Sequence, residues 1–475
     1  MSTQMTLATA NVGERLDRVA FSGFHGKLLA LVGAGLFLDG FELYLTAAVL
    51  GALTKSGWST MLLNANFIAS TFLGMVFGTW MAGILGDRFG RRFTYQFNLL
   101  IFGLASLAAF FAPTMQWLIG LRFIMGLGLG AEIVVGYAML TEFAPAAVRG
   151  RMIGWLAVIT NSSLLVSNLL SWWIIPNFGW RYMFLLVGAC AVIVWTARKA
   201  IPESPRWLES RGRVAEADAI VSRIEGVQPG SYRAPVRPVA PADKTGGATS
   251  LLAVFSPPLL RRTLIGILIN VVIGFSLYGF ISWLPTFLVH QGFTLIASIQ
   301  WTLVMSLGAP IGAVIGLFLA DYAGRRRTIV GAAVLAAGFG LVFPNIGDGV
   351  ALMAAGFCLF TMIYILLTVA FAIHIPEMFP TELRMRGTGV CGTVGRLTTV
   401  FVQYIIVALF AWGGLAAVVG TLVGLLVLLA VTMTVFGIET AKRSLEDIAG
   451  ASATAGGLRS AVAASEVASA PQRQT

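Results

Sequence analysis

The amino-acid sequence predicts an all-α membrane protein in which twelve spanning helices form two six-helix bundles. The composition is the first reason, because 57% of the 475 residues are hydrophobic and 11% are charged, whereas roughly 25% are charged in a typical soluble domain. The second is that apolar segments of about 20 residues recur, and a helix of that length crosses an apolar layer of about 30 Å. The third is that motifs of the first half return in the second half at a constant spacing. A soluble globular protein is therefore excluded.

Twelve apolar segments are long enough to span a bilayer. They lie at 27–53, 62–84, 93–112, 117–140, 152–175, 180–200, 263–289, 296–319, 328–346, 350–375, 387–410 and 413–437. Residues 201–262 are rich in Pro, Gly, Ser and charge, which indicates a linker with one helix near Val214–Ile224. Residues 1–26 are polar and lack the apolar core and cleavage site of a signal peptide, so the first span is predicted to be an uncleaved anchor.

These boundaries divide the chain into five predicted parts. They are an N-terminal segment at 1–26, a first bundle at 27–200, a linker at 201–262, a second bundle at 263–437 and a partly disordered tail at 438–475. Of the 32 lysines and arginines, 28 fall in the termini, the linker and the loops on the same side, whereas only Lys55 and Arg181 fall on the opposite side. The positive-inside rule therefore predicts that both termini and the linker are cytoplasmic.

The two halves repeat each other. The segment GFELY at 40–44 matches GFSLY at 274–278, and GDRFGRR at 86–92 matches ADYAGRR at 320–326, both at a separation of 234 residues. A third repeat, at a separation of 235, relates Glu142 and Arg151 to Glu377 and Arg386. Two parallel six-helix units are typical of transporters that rock two bundles around a site at the bilayer midplane.

These motifs resemble those of the major facilitator superfamily. The similarity extends to RFIMGLGLGAE at 122–132, PESPRWL at 202–208 and PEMFPTELRMRGTG at 376–389, and IETAKRSLEDI at 438–448 resembles the sugar-porter C-terminal motif. The resemblance implies the major facilitator fold and secondary transport by alternating access.

Two further elements narrow the resemblance within that superfamily. Asp39-Gly40-Phe41-Glu42 is similar to the Asp-Gly-aromatic-Asp element of aromatic acid/metabolite:proton symporters, with Glu42 in place of the second aspartate. Gly395-Arg396 resembles a position that these symporters share with other organic-anion carriers. The seventh span lacks the glutamine-rich pattern with which sugar porters hold hexose hydroxyls.

Five charged residues are predicted to lie well inside spans: Asp39, Glu42, Arg122, Glu132 and Arg396. Each costs about 2.5–3.5 kcal/mol at a helix centre, so each should face the bundle interior and find a partner or a pathway. Asp39 and Glu42 are separated by three residues and share a helix face, and Arg122 is predicted at the depth of Glu42. These three are the predicted proton-coupling groups. The alternative is a static interhelical polar network.

Arg396 is the predicted anchor for an anionic substrate, because its guanidinium stays charged and matches the two oxygens of a carboxylate. The alternative is a permanent pairing with Asp39 or with backbone carbonyls. Other side chains that could contact a ligand, but that could equally serve as interhelical packing, are Tyr44, Tyr278, Trp283, Tyr364, Gln403 and Glu132. For Glu132, a structural role and a gating role are both open.

The charged loop residues are predicted to form gates at the cytoplasmic ends of the spans. Charged groups in short loops can pair in one conformation and separate in another, although arginines there also fix topology. The predicted gate residues are Asp87, Arg91, Asp321, Arg325, Glu142, Arg151, Glu377 and Arg386.

The predicted function is secondary active transport of a small organic anion, an aromatic or other carboxylate such as nicotinate, by proton symport. A sugar or organic-cation facilitator or antiporter of the same fold is the alternative, followed by a non-transporting receptor or a membrane enzyme. With three scattered histidines and no nucleotide loop, the sequence predicts no enzyme, no cofactor and no metal site. The predicted partners are the substrate, protons and the lipid of a bacterial inner membrane. We expect a monomer that binds no nucleic acid.

Overall fold

Six long helices and three short ones form the first half of the chain. The computed structural model describes residues 12–145, 147–227, 254–379 and 383–440. The helices of the first half are α1 Val12–Arg18, α2 Gly23–Lys55, α3 Met61–Phe89, α4 Arg91–Phe110, α5 Met115–Phe143, α6 Arg149–Phe178, α7 Arg181–Arg198, α8 Pro205–Ser210 and α9 Val214–Glu225.

The second half has a similar series of helices with more irregular turns. They are α10 Pro257–Gly274, α11 Leu284–His290, α12 Leu295–Ser306, α13 Gly308–Tyr322, α14 Arg325–Val342, α15 Gly349–Leu366, α16 Ile375–Glu377 and α17 Arg384–Phe436. A π-helical segment, Phe275–Phe280, follows α10, and another, Leu367–His374, follows α15. Because π-turns are frequent at functional sites, both segments are places to look for ligand contacts.

Eleven helical stretches among the described residues are long and apolar enough to cross a membrane. The last of them, α17, is two helices in one, because Gly413 (φ −146°) and Gly414 (φ +61°) have non-helical backbone angles. Its two arms correspond to the eleventh and twelfth predicted spans, and each earlier predicted span overlaps one observed stretch. The predicted all-helical fold is confirmed. The predicted disorder of the C-terminal tail concerns residues that, beyond Thr440, lie outside the described ranges.

Polar caps and small residues explain where these helices begin and how closely they pack. The side chains of Thr60, Thr114 and Asp348 each accept a hydrogen bond from a backbone N–H at the start of α3, α5 and α15. Where α3 crosses α5, a Cβ on Gly78 or Gly130 would overlap a backbone carbonyl of the other helix. Small residues thus let these two helices approach to backbone contact, as is common in membranes.

The short helices α1, α8 and α9 pack together at one end of the first bundle, which we call the linker end. Arg15 of α1 is buried there, with Nη1 2.5 Å from Asp218 and Nη2 2.6 Å from Glu225 of α9. The hydrogen bond to Glu225, with Asp218 beside it, raises the pKa of the Arg15 guanidinium. Helix α9 matches the helix predicted within the linker, whereas α1 and α8 were not predicted.

The two bundles meet through α11 with α2, α12 with α6, and α17 with α3. The Tyr364 hydroxyl lies 2.9 Å from that of Tyr44 across this boundary, and the Tyr404 hydroxyl donates to Asn66 over 3.0 Å. Asn66 lies in the second turn of α3, at the end of the bundle opposite the linker end, which we call the far end. The bundles are therefore in contact from mid-depth to the far end.

Candidate functional site

A fully buried ion pair joins the first and fourth spans. Glu42 on α2 and Arg122 on α5 are in direct contact, and Arg122 also donates to the hydroxyl of Thr46, one turn beyond Glu42. The guanidinium lies 4.4 Å from the ring centroid of Phe67 on α3. The attraction between the two charges and this cation–π contact both hold the pair together, and burial limits its screening by solvent. The predicted proximity of Glu42 and Arg122 is observed.

A second buried ion pair lies closer to the linker end. Nη2 of Arg198, the last residue of α7, is 2.5 Å from Oε1 of Glu132 on α5, and both side chains are buried. The Arg198 Nε donates to the carbonyl of Leu31 over 3.2 Å, and its guanidinium lies 3.8 Å from the ring centroid of Tyr95. By its position in the sequence, Arg198 counts with the basic residues of the linker side and not among the charged groups well inside the spans, and the structure adds its buried side chain to that set.

Gly35 on α2 explains how the bulky Arg198 side chain fits. A Cβ at this position would overlap both the Arg198 Nη2 atom and the Glu132 Oε1 atom. Because glycine has no Cβ, α2 can press directly against the ion pair. In the sequence, the signal for this site was the glycine within the first span, four residues before Asp39.

Asp39 lies one turn after Gly35 on α2 and is buried, yet it makes no ion pair or hydrogen bond with a described residue. Its Oδ2 atom is enclosed without a partner. The charges of Glu132, Arg198 and Glu42 all act on it. The predicted alternative in which Asp39 pairs permanently with Arg396 is not seen.

Arg396 lies on the first arm of α17, in the second bundle. Its guanidinium makes no ion pair or hydrogen bond with a described residue, and Tyr278 in the first π-helical segment is close enough to interact with its charge. The ring of Tyr278 packs edge-on to Phe72 of the first bundle, with centroids 4.4 Å apart. This corner therefore combines an unpaired cation with aromatic surface from both bundles.

The other predicted ligand contacts pair with one another. The indole N–H of Trp283 donates to Gln403 over 2.8 Å, and both side chains are buried. Tyr44 and Tyr364 share the hydrogen bond between the bundles. These four side chains thus have partners within the protein in this conformation.

The predicted gate residues form the same network twice, once in each bundle. In the first, Arg91 Nη1 lies 2.8 Å from Asp87 and Nε 3.4 Å from Glu142. In the second, Arg325 lies 3.0 Å from Asp321 and 3.2 Å from Glu377. Each of these pairs stays within its own bundle. Of the remaining candidates, Arg151 is exposed and Arg386 is partly buried.

Two carboxylates that were not singled out from the sequence complete these networks. Glu203 Oε1 accepts the backbone N–H groups of Arg91 and Arg92, at 2.9 and 3.1 Å, where α4 begins. Glu439 accepts the corresponding N–H groups of Arg325 and Arg326 in the second half, at 3.0 and 3.2 Å. A carboxylate at a helix N-terminus is favoured by the exposed N–H groups and the helix dipole. The sequence signal that could have identified these two glutamates was their position in the motifs PESPRWL and IETAKRSLEDI.

The arrangement is suited to binding and moving charged groups rather than to bond-making chemistry. Within the described ranges, no cluster of three or more His, Cys, Asp or Glu side chains could hold a metal ion. The first bundle instead holds buried acids and bases, and the second bundle holds Arg396, which has no ion pair or hydrogen bond with a described residue.

Comparison with known proteins agrees with this description. The chain is 36% identical to the inner membrane metabolite transport protein YdjE of Escherichia coli K12, over 92% of this chain and 98% of that protein. It is 33% identical to the niacin transporter NiaP of Acinetobacter baylyi, over 91% of this chain and 98% of that protein.

Solved structures show the same fold. The partially occluded inward-open conformation of the xylose transporter XylE from E. coli matches with a TM-score of 0.71 and 18% identity, covering 89% of this chain and all of that one. Residues 31–451 match the family described as sugar (and other) transporter. The chain therefore belongs to this family of membrane transporters, with the fold of the major facilitator superfamily, and is not an enzyme.

Proposed function

We propose that this transporter imports a small organic anion, an aromatic carboxylate in the first instance, together with protons. The observation that carries the proposal is Arg396, a cation in the membrane interior with no ion-pair or hydrogen-bond partner among the described residues. Arg396 lies twelve residues into α17, which is about 18 Å along the helix and so near mid-depth of a layer of about 30 Å.

A guanidinium at that depth needs a counter-charge, because an unpaired charge in an apolar layer is strongly disfavoured. An incoming carboxylate can provide two parallel charge-assisted hydrogen bonds to it. The rings of Tyr278 and Phe72 lie next to this position and offer a surface against which an aromatic substrate can pack. The pairing of charge and ring favours an aromatic acid over a sugar, which would bring no charge to Arg396.

Proton coupling is assigned to the first bundle, where Asp39 and Glu42 are buried beside two arginines. Moving one proton with one anion leaves the net charge across the membrane unchanged, so the transport step does not work against the membrane potential. The name of NiaP, a niacin transporter, fits a substrate that carries a carboxylate on an aromatic ring. The excess of basic residues on the linker side supports a cytoplasmic linker.

The test is uptake into proteoliposomes that contain the purified full-length protein. Radiolabelled nicotinate, benzoate, xylose and carnitine are offered with and without an inward proton gradient. We expect the aromatic acids to accumulate only with the gradient. Arg396→Lys keeps the charge but loses the planar fork, so substrate affinity should fall about ten- to a hundredfold.

The matched control is Arg327→Lys, an exposed arginine on α14 at the linker end, which should leave affinity unchanged. Accumulation of xylose or carnitine that is indifferent to Arg396→Lys would favour the sugar or organic-cation alternative. Gradient-independent uptake of the acids would rule out symport.

A further inference from the structure

The buried charges of the first bundle do not balance. Of the Asp, Glu, Lys and Arg side chains on α2–α7, five are buried: the acids Asp39, Glu42 and Glu132, and the bases Arg122 and Arg198. If all five were ionised, the set would carry one uncompensated negative charge. A buried charge without a counter-charge is strongly disfavoured and is normally neutralised by a proton. One of the three buried acids should therefore be protonated.

The contacts indicate which acid holds it. Glu42 is paired with Arg122, and Glu132 is paired with Arg198. Asp39 has no ion pair and no hydrogen bond with any residue in the described ranges, and its Oδ2 atom is enclosed. Asp39 is thus the acid that remains when each arginine has taken one partner.

Arg198 is nevertheless placed to serve Asp39 as well. Side chains on an α-helix lean towards its N-terminus, so the Asp39 carboxyl leans towards Gly35, one turn earlier. Gly35 is the point at which α2 touches both the Arg198 guanidinium and the Glu132 carboxylate. The charges of Arg198 and Glu132 also act on Asp39.

No other cation on the neighbouring elements competes for this role. Besides Glu42 on its own helix, Asp39 has Arg122 on α5, which Glu42 already holds. Helix α4 presents Tyr95, which lies against Arg198. Helix α6 carries no charged residue beyond its first turn, and α11 and α12 of the second bundle carry one ionisable group, His290, at the far end.

We propose that Arg198 is a counter-ion shared between Glu132 and Asp39, and that Asp39 holds the proton while Arg198 is with Glu132. The proposal rests on the proposed symport, since it names the proton-carrying group of that mechanism. When Asp39 loses its proton, Arg198 turns towards it and the contact with Glu132 weakens. Because Arg198 ends α7 and lies against Tyr95, one turn from the Arg91 network, this movement acts on the linker end of the first bundle.

The test uses infrared spectroscopy of the full-length protein in lipid nanodiscs, which detects the C=O stretch of a buried protonated carboxylic acid without any substrate. The wild type should show this band at neutral pH, and Asp39→Asn should remove it. Glu132→Gln should also remove it, because Arg198 is then free to neutralise ionised Asp39. The double variant Glu132→Gln with Arg198→Gln should restore the band, since Asp39 is left without a cation. Glu216→Gln, on the exposed surface of α9, is the control and should leave the band unchanged.

Three results would overturn the proposal: a band that survives Asp39→Asn, a band that survives Glu132→Gln, or a Glu132→Gln protein that fails to fold while the double variant folds. The last result would mean that Asp39 does not take over Arg198. The spectra do not depend on transport, so they separate the two proposals. If the bands behave as expected while uptake ignores the proton gradient, symport is refuted and the shared counter-ion stands.

Discussion

Replacing Gly35 with alanine tests whether the Glu132–Arg198 pair is packed against α2 as the structure shows. The new methyl group would overlap the Arg198 Nη2 atom and the Glu132 Oε1 atom, so both have to retreat within a fully buried site. The ion-pair distance is now 2.5 Å, and because both side chains are buried, little room is left for the two atoms to retreat together.

The size of the effect follows from two opposing terms. Breaking a buried ion pair costs about 3–5 kcal/mol, because each charge is left uncompensated. Alanine in a helix interior is better than glycine by about 1 kcal/mol. Because the flexible arginine can relax in part, we take the lower end of the ion-pair cost, about 3 kcal/mol. Subtracting the gain of about 1 kcal/mol from the alanine gives an expected decrease of about 2 kcal/mol in the free energy of unfolding.

The assay is equilibrium unfolding of the purified protein in detergent, followed by its helical circular dichroism. Gly26→Ala on the same helix is the matched control, because a Cβ there has no atom within 4 Å. This control should be as stable as the wild type or more stable. If Gly35→Ala is as stable to unfolding as Gly26→Ala, the close contact between α2 and Arg198 is not present in the protein. The shared counter-ion would then lack the contact on which it is argued.

Three other predictions concern the linker end and the membrane topology. Glu203→Gln and Glu439→Gln each weaken the cap on two backbone N–H groups, so each should lower the unfolding free energy by about 1–2 kcal/mol, whereas exposed Glu14→Gln should not. Arg15→Ala removes the partner of Asp218 and Glu225, so limited proteolysis should cut the N-terminal segment faster than in exposed Arg18→Ala; equal rates would contradict the docking of α1. A cysteine at Ser56 should react with an impermeant reagent outside intact cells and one at Ser231 should not, and the reverse pattern would invert the topology.

The long apolar segments and their repeat were enough to predict the helices and the two-bundle fold. A spanning helix satisfies its own backbone, so length and hydropathy alone locate it. The sequence also identified Glu42 and Arg122 as buried partners, because two opposite charges at similar depth in a membrane have few other options. It did not predict the π-turn at Tyr278, which depends on which helix lies alongside, whereas the break at Gly413 falls at the boundary predicted between the eleventh and twelfth spans.

The sequence by itself thus determined the class of protein, its internal repeat and most of the charged residues that lie inside the spans. Only the tertiary structure decided how those charges are shared. Arg198 lies at the end of the sixth predicted span, next to Lys199, so by position it counts with the basic residues of the linker side, yet its flexible side chain extends past Gly35 to Glu132. Asp39 is buried and Arg396 is partly buried, but they lie in different bundles and are not paired with each other. The depth of a residue in the membrane follows from its position along one helix. Which charged side chains pair depends instead on how helices that are distant in sequence are oriented towards each other, and the packing of the whole bundle sets that orientation.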